Sequence, residues 1–125
     1  MINNTMRIGI MSREEYKKRT ISIARGEYQP AENEPKIWFE SIKSLAQVLS
    51  SENQALLKMI IEHKPESLTQ LEKISDRKKS NLSRTLKTLE NYGVVELRKE
   101  RGRVVPFVKA TDFRVEFGLN VARAY

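Results

Sequence analysis

The sequence contains no cysteine, one histidine (His63) and one tryptophan (Trp38). Without thiols there can be no disulfide framework, no thiolate nucleophile and no cysteine-ligated zinc. A lone histidine cannot form a metal-binding pair. His63 falls in the last turn of an apolar helical pattern, where the helix dipole accounts for it without chemistry. Glycine and proline are scarce, five and four residues in 125, and no glycine-rich phosphate loop occurs. No apolar run approaches the roughly 20 residues that span a bilayer. The chain does not open with a basic region followed by an apolar one, as a signal peptide does. These absences argue against an enzyme, a bound metal or cofactor and a membrane protein, and they predict a cytoplasmic protein.

What is present is a globular composition, 39% hydrophobic, in a chain long enough for one real core and too short for two. The net charge of +7 is unevenly placed: from Lys73 to Lys109 there are eleven bases against four acids, so the rest of the chain is neutral. A charge excess confined to one folding unit is the electrostatic footprint of a polyanion-binding surface. It fits RNA as well as DNA.

The basic unit has internal order. Leu82, Leu86 and Leu89 recur at four- and three-residue intervals and define the apolar stripe of a helix over about 78–92. At 100° per residue, Ser80, Arg84 and Lys87 fall roughly opposite that stripe. Gly93 stands where a residue able to take φ > 0 ends a helix. Before it, Ser67-Leu-Thr-Gln70 reads as a capping box opening a short helix through Leu68, Leu71 and Ile74, with Ser75-Asp76 as a turn. After it, Val95 and Leu97 alternate with Glu96 and Arg98, and Glu100-Arg-Gly-Arg103 forms a turn with Gly102 suited to φ > 0. Val104 to Val108 returns, with Pro106 marking an exposed edge strand. Helix, turn, basic helix and hairpin in that order predict a winged helix-turn-helix.

The flanking segments add elements to that unit. Ile8 and Ile10 around Gly9 mark a short strand, weakened by the glycine. Ser12-Arg-Glu-Glu15 is a capping box for a helix closed by Gly26, with Glu14→Lys18 and Glu15→Arg19 as favourable pairs. Glu27 to Pro35 is a connector. Ile37-Trp-Phe39 is a short strand or extended lead-in in which Trp38 serves packing. A short helix through Leu45, Val48 and Leu49 follows. Ser51-Glu-Asn-Gln54 reads as a further capping box, opening a helix that Pro65 ends by about Lys64. Phe113, Val115 and Phe117 form a last strand too apolar for a free edge, paired with the N-terminal strand or with the same strand of a second subunit. The expectation is an α+β, mainly α chain: residues 1–35 an N-terminal strand, helix and connector; 36–110 the winged helix-turn-helix; 111–125 a C-terminal strand and tail.

In a helix-turn-helix the N-terminal half of the second helix reaches base edges in the major groove. Arg84 and Asn81 are the base-reading candidates, because arginine pairs bidentately with guanine and asparagine with adenine. Ser80 and Ser83 are small donors suited to phosphate, and Arg77, Lys78, Lys79 and Lys87 are phosphate contacts that position the helix. Lys99, Arg101 and Arg103 sit at the hairpin tip, as a phosphate or minor-groove contact requires. Paired half-sites make a homodimer the expected state.

The run Asn81-Leu-Ser-Arg-Thr-Leu-Lys-Thr-Leu-Glu-Asn-Tyr-Gly-Val94, within Leu71 to Val95 and its hairpin, resembles the winged helix-turn-helix of MarR- and ArsR-like regulators. Over about 12–117, the segments Ile23-Ala-Arg-Gly-Glu-Tyr28, Glu34-Pro-Lys-Ile-Trp-Phe39 and Ser44-Leu-Ala-Gln-Val-Leu-Ser50 are similar to small predicted DNA-binding antitoxins of the TumA type. The resemblance implies a repressor of its own operon that also neutralises a small toxin. The competing expectation to a regulator alone is a protein-interaction role in which the N-terminal region, residues 1–50, binds and blocks the partner, with DNA binding as the autoregulatory half. The sequence departs from the pattern at Lys78, where such helices often begin with Ser, Thr or Asp. Asp76 or Ser80 is expected to supply the cap instead.

Overall fold

Three strands far apart in sequence meet in one parallel sheet. In a computed structural model, which describes residues 4–119, β1 (Thr5–Ile10) lies between β2 (Ile37–Phe39) and β5 (Asp112–Glu116). The register aligns Met6 with Phe113, Ile8 with Val115 and Ile37, and Ile10 with Phe39. One sheet face is therefore apolar, and on it Ile8 and Phe39 are fully buried. On the other face Arg7 lies beside Arg114 and forms an ion pair with Glu116. Asn4 ties the β1–β5 end together: its Nδ2 donates to the Lys109 carbonyl at 2.7 Å, and its own carbonyl accepts from Thr111 N at 2.9 Å. Each of the segments 1–35, 36–110 and 111–125 contributes one strand. Residues 1–3 and 120–125 of the outer two segments lie outside the described residues.

Gly9 is paired with Trp38, and a Cβ at Gly9 would stand 2.3 Å from the indole ring. The glycine therefore makes room for tryptophan across the strand rather than merely weakening it. Trp38 packs, as its sequence context predicts, and the Arg19 guanidinium lies 5.0 Å from its ring centroid. Arg19 forms its ion pair with Glu34 at 2.9 Å. The expected helical partner Glu15 is displaced because the connector folds back over the helix.

Among the described residues five helices complete this small α+β fold: α1 (Arg13–Ala24), α2 (Ile42–Val48), α3 (Ser51–His63), α4 (Leu68–Ser75) and α5 (Lys79–Asn91). Serine side chains cap four of them by accepting from the N3 amide: Ser12, Ser41, Ser50 and Ser67. For α3 the cap is Ser50, bonded to Asn53 N at 3.2 Å, and not the expected Ser51, which is already helical. In α1 and α4 only half of the expected box forms. Ser12 accepts from Glu15 N with no return bond from Ser12 N to the Glu15 side chain among the described residues, and the Gln70 side chain accepts from Glu66 N instead of Ser67 N. Leu56, Leu57 and Ile60 of α3 pack with Leu71 of α4, with Leu82, Leu86 and Leu89 of α5, and with Val94 and Val95. Met6 and Phe113 of the sheet close over that cluster, so sheet and helices share one core. Phe39 stacks on Tyr92, the C-cap of α5, with centroids 4.1 Å apart and planes 6° from parallel. Among the described residues no helix is long and apolar enough to cross a membrane.

After α5, Gly93 takes φ +81 and the chain enters an antiparallel hairpin, β3 (Val95–Glu100) and β4 (Arg103–Val108). Arg101 and Gly102 form the turn with φ +52 and +75. Two successive left-handed residues match the right-handed twist of a two-residue hairpin. Pro106 lies on an edge strand, but its ring is buried rather than exposed.

Candidate nucleic-acid interface

The stripe of α5 that builds the core determines which side chains it leaves outside. Leu82, Leu86 and Leu89 are at most 1% exposed. The 3.6-residue period then turns Ser80, Arg84 and Lys87 outward, with Asn81 and Ser83 on the flanks. All five are exposed, as are Lys78 and Lys79 at the start of the helix. Arg84 makes no side-chain hydrogen bond or ion pair among the described residues, so its guanidinium fork is free for a ligand. Lys87 is partly engaged: its ammonium lies 3.2 Å from Glu90 Oε1. Glu90 also accepts from Leu97 N at 3.3 Å through its other oxygen, tying the helix to the hairpin.

The start of α5 is capped from outside. Lys78 is the N-cap residue, in extended conformation, and makes no side-chain cap bond. Neither Asp76 nor Ser80 takes that role. Asp76 occupies the left-handed C-cap of α4 with φ +57, and Ser80 lies within the helix. The cap is Glu72 of α4, whose Oε2 accepts from Lys79 N at 2.9 Å. A carboxylate there satisfies an orphan amide and sits favourably at the positive end of the helix dipole. Seven residues separate the two partners, so only the packing of α4 on α5 brings them together.

Arg77 differs from the other basic candidates. It is half-buried, and its Nη1 donates to Asn53 Oδ1 on α3 at 3.2 Å, anchoring the turn between α4 and α5. Part of its donor set is thus spent inside the protein.

The hairpin stands beside the polar flank of α5. Ser83, Arg84 and Lys87 share an apolar groove with Leu97 and Val104 of the hairpin and Leu68 of α4. Lys99, Arg101 and Arg103 are all exposed near the hairpin tip, and none is ion-paired among the described residues. The structure thus places Ser83, Arg84 and Lys87 next to the hairpin strands, puts Lys99, Arg101 and Arg103 further out at the tip, and directs Arg77 inward. Arg98 is a fourth hairpin base, and its charge is used locally. Its guanidinium lies 4.0 Å from the Phe107 centroid and 3.2 Å from Glu96. The hydrogen bond from Arg98 holds the Glu96 carboxyl below its ordinary range, and raises Arg98 in return.

Sequence reasoning missed Glu72, Glu90 and Asn53 as organisers of this surface. Glu90 had a legible signal, being the only acid in the basic helix, three residues after Lys87. Asn53 and Glu72 had none, because their partners are 24 and seven residues away on other elements. Among the described residues no group of three or more histidine, aspartate or glutamate side chains could hold a metal ion.

Comparison with curated proteins and with solved structures finds no match. The sequence pattern of the HVO_A0114 family matches residues 48–115, a span that runs from the end of α2 through α3, α4, α5 and the hairpin into β5 and covers more than half of the chain. The chain belongs to the HVO_A0114 family.

Proposed function

We propose that α4, α5 and the hairpin are a winged helix-turn-helix that binds double-stranded DNA, and that the protein is a sequence-specific transcriptional repressor of the cytoplasm rather than an enzyme. The observation that carries this reading is the exposed face of α5. It presents Ser80, Asn81, Ser83, Arg84 and Lys87 opposite three buried leucines, beside a hairpin tipped with Lys99, Arg101 and Arg103. In this reading α5 enters the major groove, Arg84 and Asn81 contact base edges, and the tip meets phosphate or the minor groove. Lys78 and Lys79 supply phosphate contacts by their side chains, since Glu72 occupies the Lys79 amide.

The test is binding to the DNA upstream of the protein's own gene and to a scrambled duplex, across a salt series, with duplex RNA as competitor. A repressor binds its site about 10³-fold or more tighter than random DNA at physiological salt. Equal and steeply salt-dependent binding to both duplexes reduces the surface to phosphate contacts. Displacement by RNA at equal concentration overturns the DNA reading.

A second reading, an antitoxin that captures a small toxin through its N-terminal region, is favoured by α1, which has no buried residue and leaves Tyr16 and Ile21 45% and 41% exposed. Its test is co-purification with the neighbouring gene product and loss of that complex in Tyr16→Ala/Ile21→Ala. Deleting residues 1–35 does not separate the two roles, because it removes the central strand of the sheet.

A further inference from the structure

Strand β5 is hydrogen-bonded to β1 on one side and, among the described residues, to nothing on the other. Asp112 N donates to the Asn4 carbonyl at 3.1 Å. By strand alternation Arg114 and Glu116 also turn their backbone groups toward β1, while Phe113 and Val115 turn theirs to the open edge. Natural edges are commonly blunted by proline, a bulge or an inward charge; β5 has none of these. Its core-facing side chains become steadily more exposed along the chain. Phe113 is packed on the core, Val115 is 43% exposed, and beyond the strand Phe117 and Leu119 are 59% and 84% exposed. The apolar face of this strand extends past the core of its own subunit.

The charged face is incomplete in the same place. Arg7 and Arg114 are register partners, two like charges side by side, and Glu116 is ion-paired to Arg7. Arg114 has no acidic partner among the described residues.

We propose that two copies of the chain pair antiparallel along their β5 edges about a two-fold axis at Val115, joining the two sheets into one of six strands. In this register Val115 faces the partner's Val115, Phe113 faces the partner's Phe117, and Arg114 faces the partner's Glu116. The same contacts recur in reverse, as a two-fold interface requires. Apolar residues meet on one face, and each Arg114 gains the carboxylate it lacks. Neighbouring registers fail: an axis at Arg114 or at Glu116 opposes like charges, and an axis between two residues sets apolar side chains against charged ones. The inference rests on the sheet alone and is independent of any nucleic-acid role.

The experiment is sedimentation velocity of the full chain over a concentration series. Arg114→Glu opposes the partner's Glu116 yet gives Arg7 a second acid within its own subunit, so it disturbs the dimer and spares the fold. Glu116→Arg opposes the partner's Arg114. We expect a wild-type dimer, at least about tenfold weaker dimerisation in each single variant, and recovery in Arg114→Glu/Glu116→Arg, which exchanges the charges. Because the chain has no cysteine, Val115→Cys carries a single thiol, opposite its own copy at a Cα spacing of about 5.5 Å that suits a disulfide. It should cross-link on mild oxidation, whereas Glu32→Cys, exposed in the connector, should not. A wild-type monomer, an Arg114→Glu chain that dimerises as wild type does, or a Val115→Cys chain that stays uncross-linked overturns the proposal. A monomer would leave the edge to a strand from a different protein.

Discussion

The Glu72 carboxylate accepts a hydrogen bond from the Lys79 backbone amide at 2.9 Å, so α4 caps α5 across the turn that joins them. The bond fixes where the exposed basic face begins and removes one amide from the set available to a ligand. Glu72→Ala should lower stability by about 0.5–2 kcal/mol, the usual cost of a lost N-cap. Glu72→Gln keeps an acceptor oxygen and loses only the charge–dipole term of about 0.3–1 kcal/mol. Urea unfolding of the three proteins measures both steps. Equal stability of the alanine variant and wild type would show that water caps the helix equally well.

Gly9 permits the Trp38 ring to lie across β1, and a methyl group there would meet the ring at 2.3 Å. The neighbour is a rigid aromatic already stacked beneath Arg19, so it yields poorly. Gly9→Ala should destabilise by about 1–3 kcal/mol, in the range of an overpacked core. In a Trp38→Ala background the same change should cost much less, because the clash has gone. Thermal unfolding of the four proteins gives the coupling, and additive effects would rule out the proposed contact.

These two contacts show why some of the molecule was legible in the sequence and some was not. The Leu82, Leu86, Leu89 stripe and the Arg101-Gly102 turn are governed by neighbours a few residues away, and both occur where periodicity and turn chemistry put them. The serine caps at Ser12 and Ser67 were nearly as clear, Ser50 and Ser51 were distinguishable only by where the packed helix starts, and the Ser41 cap of α2 was not read from the sequence. The pairing of β1 with β5 spans more than a hundred residues, so the alternation of Phe113, Val115 and Phe117 demanded a partner while leaving two candidates open. Ion pairs were least legible. Arg19 satisfied a helical rule with Glu15 and still chose Glu34, because the connector offered a less exposed site shared with Trp38. At the candidate interface, exposure of Arg84 and Lys87 followed from the leucine stripe, but the inward turn of Arg77 depended on Asn53 of another helix.

On the hairpin, the hydrogen bond from Arg98 lowers the acidity range of Glu96, with smaller charge effects from Arg98 and Lys109. A carboxylate whose folded value lies below its unfolded one stabilises the fold above the unfolded value. It loses that contribution as pH falls through the folded value. The Glu96 side-chain carboxyl signal in NMR should therefore titrate below an ordinary glutamate, and Arg98→Ala should move it up. Glu96→Gln should remove this part of the acid sensitivity of the hairpin amides by lowering their protection at neutral pH toward that of the acidified wild type, while leaving them unchanged at low pH. A Glu96 midpoint that ignores Arg98→Ala would mean that the pair does not persist in solution.

Arg84 and Arg101 separate the two kinds of contact expected of a DNA-binding surface. Arg84 lies on the outward face of α5 beside the hairpin groove, unpaired among the described residues, whereas Arg101 is an exposed left-handed turn residue at the hairpin tip. If Arg84 reads a base, Arg84→Ala should cost about 1–3 kcal/mol on the preferred site and relax selection at a single position. It should cost far less on random duplex. If Arg101 meets phosphate, Arg101→Ala should weaken all sequences alike and reduce the salt slope by about one. Arg101→Lys keeps the charge at the tip and should recover most of that loss, while Arg84→Lys loses the planar fork needed for bidentate pairing and should recover little. Quantitative binding to a randomised site library at two salt concentrations reads all four variants. A uniform loss for Arg84→Ala would move that residue from base reading to the backbone. No loss for either alanine variant would show that nucleic acid does not use this face of the molecule.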